Sequence, residues 1–185
     1  MFDTDRFFEE CEHAVAADPT HVGVRELVAE AVRDPSSVIR TLGEPRQAGF
    51  NILFRSPRVT IINLIWGPGM TVSPHDHRTW AVIGVYTGRE DNIFWRRLPA
   101  DAKRQIEAAG ARSLCSGDCT PLGADIIHSV TNPIPRLTGA IHVYGGDFVA
   151  QERSEWDAET LREQPYDTDK TRRLFEESNR ALLHA

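Results

Sequence analysis

Histidines in the middle of the chain have the spacing of metal ligands. His75 and His77 are separated by one residue, and residues two apart on an extended strand point to the same face. Their side chains then lie about 6–7 Å apart along the strand. Two imidazoles at that separation can converge on one iron, zinc, copper or nickel ion. A lone His-x-His pair is also common on exposed strands, so the spacing alone is a weak signal. Three other histidines fall in predicted terminal helices and receive no role: His13, His21 and His184.

The elements around these histidines predict a β-barrel between two helical segments. Apolar residues recur at helical spacing up to position 45, and Asp3 or Thr4 can cap the first helix. From residue 50, short β-branched and aromatic runs between turn residues predict an antiparallel barrel or sandwich. The candidate strands are 50–55, 58–66, 80–87, 91–96, 111–115, 125–131 and 138–144. A helical turn is expected within 99–109, and polar helix resumes after residue 148, most clearly over 171–183.

Length and charge limit the classes of protein that fit. The 185 residues predict one domain, 1–185, with a helical segment over 1–45, a barrel over 50–148 and a helical tail over 154–185. Against 27 acidic residues stand 21 basic ones, and the net charge of −6 argues against a general nucleic-acid binder. No apolar run approaches the roughly 20 residues of a membrane span.

Cysteine usage and the first residues predict the compartment. The three cysteines show no pairing framework, which is typical of a reducing cytoplasm. The acidic N-terminal stretch lacks the basic start and apolar run of a secretion signal. We therefore expect a cytoplasmic protein with no nucleic-acid or membrane partner, and the oligomeric state stays open.

The surroundings of the His-x-His pair resemble the first motif of the cupin superfamily. Gly69 and five further residues precede His75-x-His77, and Gly88 follows after the next apolar run. The superfamily motif carries an acidic ligand shortly after the histidines, and that position falls on Ala81. The resemblance implies a mainly β fold, the double-stranded β-helix or jelly-roll barrel, with N-terminal helices and a C-terminal helical tail.

A second segment resembles the end of the second cupin motif. Pro121-x-Gly123 precedes His128, and Asn132 follows four residues later. The resemblance implies His128 as the third metal ligand, so the implied ligand set is three histidines and no carboxylate. Three histidines leave open positions on an octahedral ion for a chelating substrate and O2.

Three stretches narrow the resemblance within the cupins. They are WGPG at 66–69, HDHRTWAVIG at 75–84 and IHVYGGDF at 141–148. Together they resemble the cysteine dioxygenase family of thiol dioxygenases, closest to its bacterial 3-mercaptopropionate dioxygenase branch, over roughly 50–156. The resemblance implies one non-haem Fe(II) per chain, held by His75, His77 and His128. It also implies an oxidoreductase that adds both atoms of O2 to the sulfur of a small thiol carboxylate, giving a sulfinate.

The same family has a Ser-x-His-x-Tyr strand beside the iron. Here it reads Ala140-x-His142-x-Tyr144, so the serine is absent. The resemblance implies His142 and Tyr144 as catalytic residues, with the tyrosine hydroxyl near bound oxygen or substrate and the histidine holding it. A His and Tyr satisfied within a barrel core is the alternative. The cysteine of the family's Cys–Tyr cross-link falls on Ala81, so no cross-link is expected.

Substrate recognition depends on where a cation reaches the site. The resemblance implies Arg153 as the residue that binds the substrate carboxylate, and guanidinium suits two-point binding of that group. The family's other polar position, an Arg or Gln, falls on Phe50, and Arg55 and Arg58 remain substitutes. Two alternatives stay open: a cupin iron oxygenase acting on a different, possibly non-thiol substrate, and a cupin isomerase.

Overall fold

The computed structural model describes residues 1–98 and 105–184. Its helices are α1 (Thr4–Ala17), α2 (Val22–Arg33), α3 (Pro35–Leu42) and α4 (Thr168–Leu182). Its strands are β1 (Gly49–Arg55), β2 (Val59–Trp66), β3 (Thr71–Asp76), β4 (Ala81–Thr87), β5 (Arg89–Arg97), β6 (Ile106–Cys115), β7 (Cys119–Leu122), β8 (Ile127–Thr131), β9 (Thr138–Gly145), β10 (Ser154–Trp156) and β11 (Glu163–Pro165). Across these ranges, no helix has both the length and the apolar character needed to cross a membrane.

The strands form two antiparallel sheets that enclose the barrel. One sheet has the order β1-β2-β9-β4-β7 and the other the order β11-β10-β3-β8-β5-β6. Several neighbours within each sheet, such as β2 with β9 and β3 with β8, are distant in sequence, as in a double-stranded β-helix, where the chain alternates between sheets. The mainly β fold with helices before and after the barrel, expected from the sequence, is therefore confirmed.

Strand β9 is buried on both of its faces. Ala140 and Tyr144 belong to the apolar cluster inside the barrel, together with Ile83 of β4. Ile141 and Val143 belong to a second cluster, outside the barrel, that includes the apolar stripes of α1 and α2. A run without polar alternation is typical of a strand covered on both sides. This arrangement directs the even-numbered side chains of β9 toward the histidines.

The first helix begins where the sequence predicts. The Asp3 side chain accepts a hydrogen bond of 3.0 Å from the backbone N–H of Arg6 and so caps α1. Phe7, Cys11 and Val15 form the buried stripe of that helix. The helices thereby cover the outer face of the five-stranded sheet and leave the inner face for the site.

Helix α4 closes one side of the barrel. The Asn179 side chain accepts from the backbone N–H of Ala48 at 2.6 Å and donates to its carbonyl at 2.9 Å. Phe175 stacks on Trp66 of β2, with ring centroids 5.8 Å apart. These contacts fix the helix against the start of β1 and the end of β2.

The structure corrects the predicted elements in two respects. The segment 154–185 is not helical throughout, since β10 and β11 precede the helix at 168–182. Strands β3 and β7 were absent from the candidates. Of the segment 99–109, where a helical turn was expected, residues 106–109 are strand, and 99–104 lie outside the described residues. The first part of the tail is strand because β10 pairs with β3. In short polar segments such sheet contacts override weak local preferences for helix.

Candidate metal site and cavity

Three buried histidines converge inside the barrel. His75 lies on β3, His77 directly follows that strand, and His128 lies on β8. His75 and His128 are opposite each other in the β3–β8 register. One ring nitrogen from each of the three histidines lies within 4.8 Å of the others. Among the described residues, this group of potential ligands includes no carboxylate.

Neighbouring groups orient two of these rings. The Nδ1–H of His75 donates to the Ser73 carbonyl at 3.0 Å, and the Nδ1–H of His128 donates to Oδ1 of Asn92 at 2.7 Å. Each ring then presents the lone pair of Nε2 to the interior. Nε2 of His77 lies 3.1 Å from Nε2 of His128. Two ring nitrogens facing each other in this way need a proton or a cation between them.

Electrostatics favours the cation. Burial, followed by the neighbouring histidines, holds the pKa of both His77 and His128 well below the ordinary value. Burial also lowers the pKa of His75 to about 4. All three imidazoles are therefore neutral near pH 7, the form that binds metal ions. The residues present fit a metal ion held by three neutral imidazoles.

A tyrosine and a histidine of the opposite sheet adjoin these ligands. The hydroxyl of Tyr144 lies 3.0 Å from Nδ1 of His142, and both residues are buried. The Tyr144 ring is 5.0 Å from the His77 ring and stacks on Phe148. Burial raises the pKa of Tyr144, so the phenol keeps its proton. Ala81 is the residue opposite Tyr144 in the β4–β9 register, so that position offers no thiol for a cross-link.

Sequence reasoning missed a buried carboxylate beside His142. The Glu90 side chain is 0% exposed and accepts from Nε1 of Trp66 at 2.7 Å, Nδ2 of Asn92 at 3.0 Å and Nε2 of His142 at 3.3 Å. Burial alone raises the pKa of this carboxyl, but His142 and the other two donors outweigh it and the pKa lies below its ordinary value. The available signal was a carboxylate and an amide two positions apart, just after Gly88.

A cavity of about 330 Å³ leads to the histidines. Its walls are mostly apolar and come from β1, β2, the segment after β9, and α4: Phe50, Ile52, Ile62, Leu64, Trp66, Phe148, Val149 and Phe175. His75, His77 and Tyr144 line the same cavity. The site therefore has polar groups at one end and a largely apolar approach.

Arg153 lies in the cavity wall between two aromatic rings. Its guanidinium carbon is 4.1 Å from the centre of the Phe148 ring and 4.2 Å from that of Tyr166. Within the described ranges no carboxylate pairs with this guanidinium, whereas the other arginine of the cavity, Arg172, donates to Asp169 at 2.6 Å. The two rings thus fix the position of the Arg153 guanidinium, and its N–H groups can donate to a bound anion.

The two substitutes for Arg153 lie elsewhere. Arg55 makes two hydrogen bonds of 2.8 Å to Asp147, and Arg58 lies 3.7 Å from Glu12. Neither lines the cavity. Phe50 does line it, 40% exposed and packed on the ring of Phe175, so this position presents an apolar surface.

No protein-family model matches the sequence. Similar solved structures include a cupin superfamily protein of Desulfitobacterium hafniense, with 18% identity, a TM-score of 0.45 and coverage of 58% of this chain and 86% of that one. An RmlC-like cupin with a double-stranded β-helix fold from Methanocaldococcus jannaschii has 9% identity, a TM-score of 0.47 and coverage of 58% and 87%. A Bacillus halodurans protein has 14% identity, a TM-score of 0.49 and coverage of 58% and 77%. These likenesses concern the fold alone and indicate no reaction for this chain.

Proposed function

We propose that this protein is a non-haem Fe(II) dioxygenase that oxidises the sulfur of a thiol carboxylate to a sulfinate. The thiolate R–S⁻ and O2 give R–SO2⁻, so both oxygen atoms form bonds to sulfur. Sulfur supplies the four electrons that O2 accepts, and no further reductant is needed. An iron ion held by His75, His77 and His128 would supply Lewis acidity toward the thiolate and the one-electron chemistry that O2 requires.

The observation that carries the proposal is the cavity that Arg153 shares with His75 and His77, two members of the three-histidine group. A thiol carboxylate has two anionic groups, and the cavity offers one place for each. Because the three imidazoles are neutral, they do not cancel the charge of a bound metal ion, and that positive charge attracts the thiolate. The guanidinium of Arg153 attracts the carboxylate and holds it at a fixed distance from the sulfur.

The remaining side chains of the cavity orient the substrate and exclude water. The apolar walls displace solvent from the space between the two anionic groups, which strengthens both interactions. Tyr144 contributes a hydroxyl next to the histidines, and His142 holds that hydroxyl at 3.0 Å. A positioned donor or acid of this kind raises rates by about 10²–10⁴-fold.

The apolar surface at Phe50 favours a thiol acid with a larger body than 3-mercaptopropionate or cysteine. A cavity of about 330 Å³ lies in the range of sites that hold much larger ligands. Phe50 and Phe175 offer aromatic contacts along it and no second cation. The substrate class proposed here is therefore a thiol with one carboxylate and an apolar chain or ring.

Oxygen uptake by iron-loaded protein tests the proposal. We expect uptake only when a thiol acid is present, with one O2 consumed per sulfinate formed and both atoms of ¹⁸O2 recovered in the product by mass spectrometry. The panel includes 3-mercaptopropionate, cysteine, longer alkyl and aryl thiol acids, and 2-mercaptoethanol as the uncharged member. A His77→Ala variant serves as the control for free iron. Absence of uptake with every thiol would contradict the proposal and favour an oxygenase of a non-thiol substrate or an isomerase.

A further inference from the structure

A continuous chain of hydrogen bonds links the two sides of the site. Tyr144 contacts His142 at 3.0 Å, and His142 contacts Glu90 at 3.3 Å. Glu90 accepts from Asn92 at 3.0 Å, and Asn92 accepts from His128 at 2.7 Å. The chain runs from the sheet that carries β9 to the sheet that carries β8, and Glu90 lies at its centre.

The charge of Glu90 decides the direction of the bonds toward Tyr144. An ionised carboxylate only accepts hydrogen bonds, so the ring hydrogen of His142 that faces it is on Nε2. Nδ1 of His142 is then an acceptor, and the hydroxyl of Tyr144 donates to it. The oxygen of Tyr144 consequently turns its lone pairs toward the cavity.

Glu90 also fixes the direction of the hydrogen bonds that lead through Asn92 to His128. The carboxylate oxygen Oε1 accepts from the Asn92 amide nitrogen, which leaves Oδ1 of Asn92 as the group facing the ring. Oδ1 accepts from Nδ1–H of His128, so the lone pair on Nε2 faces the other histidines. A flipped amide would reverse this tautomer and place a hydrogen where a metal ligand is needed.

We propose that Glu90 is a positioning residue whose buried charge sets the tautomers of both His142 and His128. Through His142 it orients the hydroxyl of Tyr144, and through Asn92 it keeps the Nε2 lone pair of His128 available for a metal ion. Its effect on turnover rests on the proposed function, whereas the tautomers and the metal affinity do not. No contact of Glu90 with substrate is needed. Its fixed position follows from Trp66, which donates to Oε2 at 2.7 Å from the opposite sheet.

Glu90→Gln separates this role from packing because glutamine has nearly the same shape. A carboxylate accepts at both oxygens, whereas an amide accepts at one and donates at the other. If the amide oxygen takes the Oε1 position, its NH2 faces His142 and moves the ring hydrogen to Nδ1. If it takes the Oε2 position, its NH2 faces Asn92, which flips and moves the hydrogen of His128 to Nε2. Either arrangement changes one of the two tautomers.

The test is the tautomer of both histidines, read from ring ¹⁵N chemical shifts of the metal-free 185-residue chain. In the native protein we expect the Nε2–H form of His142 and the Nδ1–H form of His128. In Glu90→Gln we expect one of them to change. Asp91→Asn is the matched control, since this neighbouring carboxylate pairs with Arg89 at 2.7 Å and should leave both tautomers as they are.

Affinity for Zn²⁺ gives a second readout that needs neither O2 nor a thiol. Substitutions behind a metal-bound histidine typically weaken metal binding about 10- to 100-fold. We expect a loss of that size for Glu90→Gln, measured by chelator competition, and none for Asp91→Asn. Native-like tautomers in Glu90→Gln would overturn the proposal. So would a native protein with the hydrogen on Nδ1 of His142 or on Nε2 of His128, a result that is independent of whether any variant folds.

Discussion

Replacing Arg153 by methionine should remove the binding site for the substrate carboxylate while keeping the side chain between its two rings. The unbranched methionine chain can occupy much of the space beside Phe148 and Tyr166 that the arginine fills. At 4 Å and an effective dielectric constant of 20, two unit charges attract by about 4 kcal/mol. Because Arg153 is half-buried, solvent screens part of this attraction. A hydrogen bond between charged groups, about 1.5–3 kcal/mol net, is the appropriate figure.

That free energy corresponds to a rise of about 10- to 150-fold in KM for a thiol acid. The assay is O2 uptake by iron-loaded protein with the thiol acid of the panel that gives the fastest uptake and with 2-mercaptoethanol, which lacks the carboxylate. We expect Arg153→Met to raise KM for the acid and to leave KM for the uncharged thiol nearly unchanged. Arg172→Met is the matched control, since Arg172 lines the same cavity but is paired with Asp169.

Two results would refute this reasoning about Arg153. Equal losses for the two thiols would mean that the arginine maintains the wall of the cavity and binds no anion. Selective loss for the acid in Arg172→Met, with none in Arg153→Met, would assign the carboxylate to the other arginine.

Three further predictions concern the tyrosine, the packing of α2 and the pH dependence. Tyr144→Phe should slow turnover about 10²-fold while the affinity for Zn²⁺ stays native. Unchanged turnover would show that Tyr144 only packs in the core and takes no part in catalysis. Gly84→Ala places a Cβ 2.5 Å from Val28, so urea titration should show a loss of about 1–3 kcal/mol in the free energy of unfolding. Gly110→Ala, with open space around it, should change that free energy by less than about 0.5 kcal/mol, and equal effects would contradict the packing argument. The pKa of His75 is lowered from 6.5 to about 4, so between these pH values the unfolded chain binds a proton that the folded chain does not. The free energy of unfolding contributed by the neutral ring is therefore fully present above pH 6.5 and is lost as the pH falls to about 4. The stability of the metal-free protein should therefore fall less steeply over this window in His75→Asn, and parallel curves would contradict the assignment.

The fold was predictable where periodicity and turn residues are strong. The long apolar strands β2, β4 and β9 and the stripe of α1 follow directly from their residue patterns. Strands β10 and β11 have three residues each and gain their structure from pairing with neighbours. Segments this short carry no periodic signal, so composition favoured helix and tertiary contacts decided otherwise.

The candidate site was predictable in its ligands and less so in its support. Spacing and resemblance pointed to His75, His77 and His128, which the structure brings together. Glu90 was not found because it lies in Arg89-Glu-Asp-Asn92, a polar stretch that reads as an exposed turn at the start of a strand. Its partners on β2 and β9 are distant in sequence, and only the closed barrel brings them within hydrogen-bonding distance.

Iron content after anaerobic reconstitution and desalting shows whether His75, His77 and His128 together hold a metal ion. We expect one Fe(II) per chain in the native protein and loss of most of it in His128→Ala, which leaves two imidazoles. His13→Ala is the control: His13 is exposed on α1, so this variant should retain full iron. Full iron in His128→Ala, or none in the native protein, would rule out the three histidines as the iron ligands.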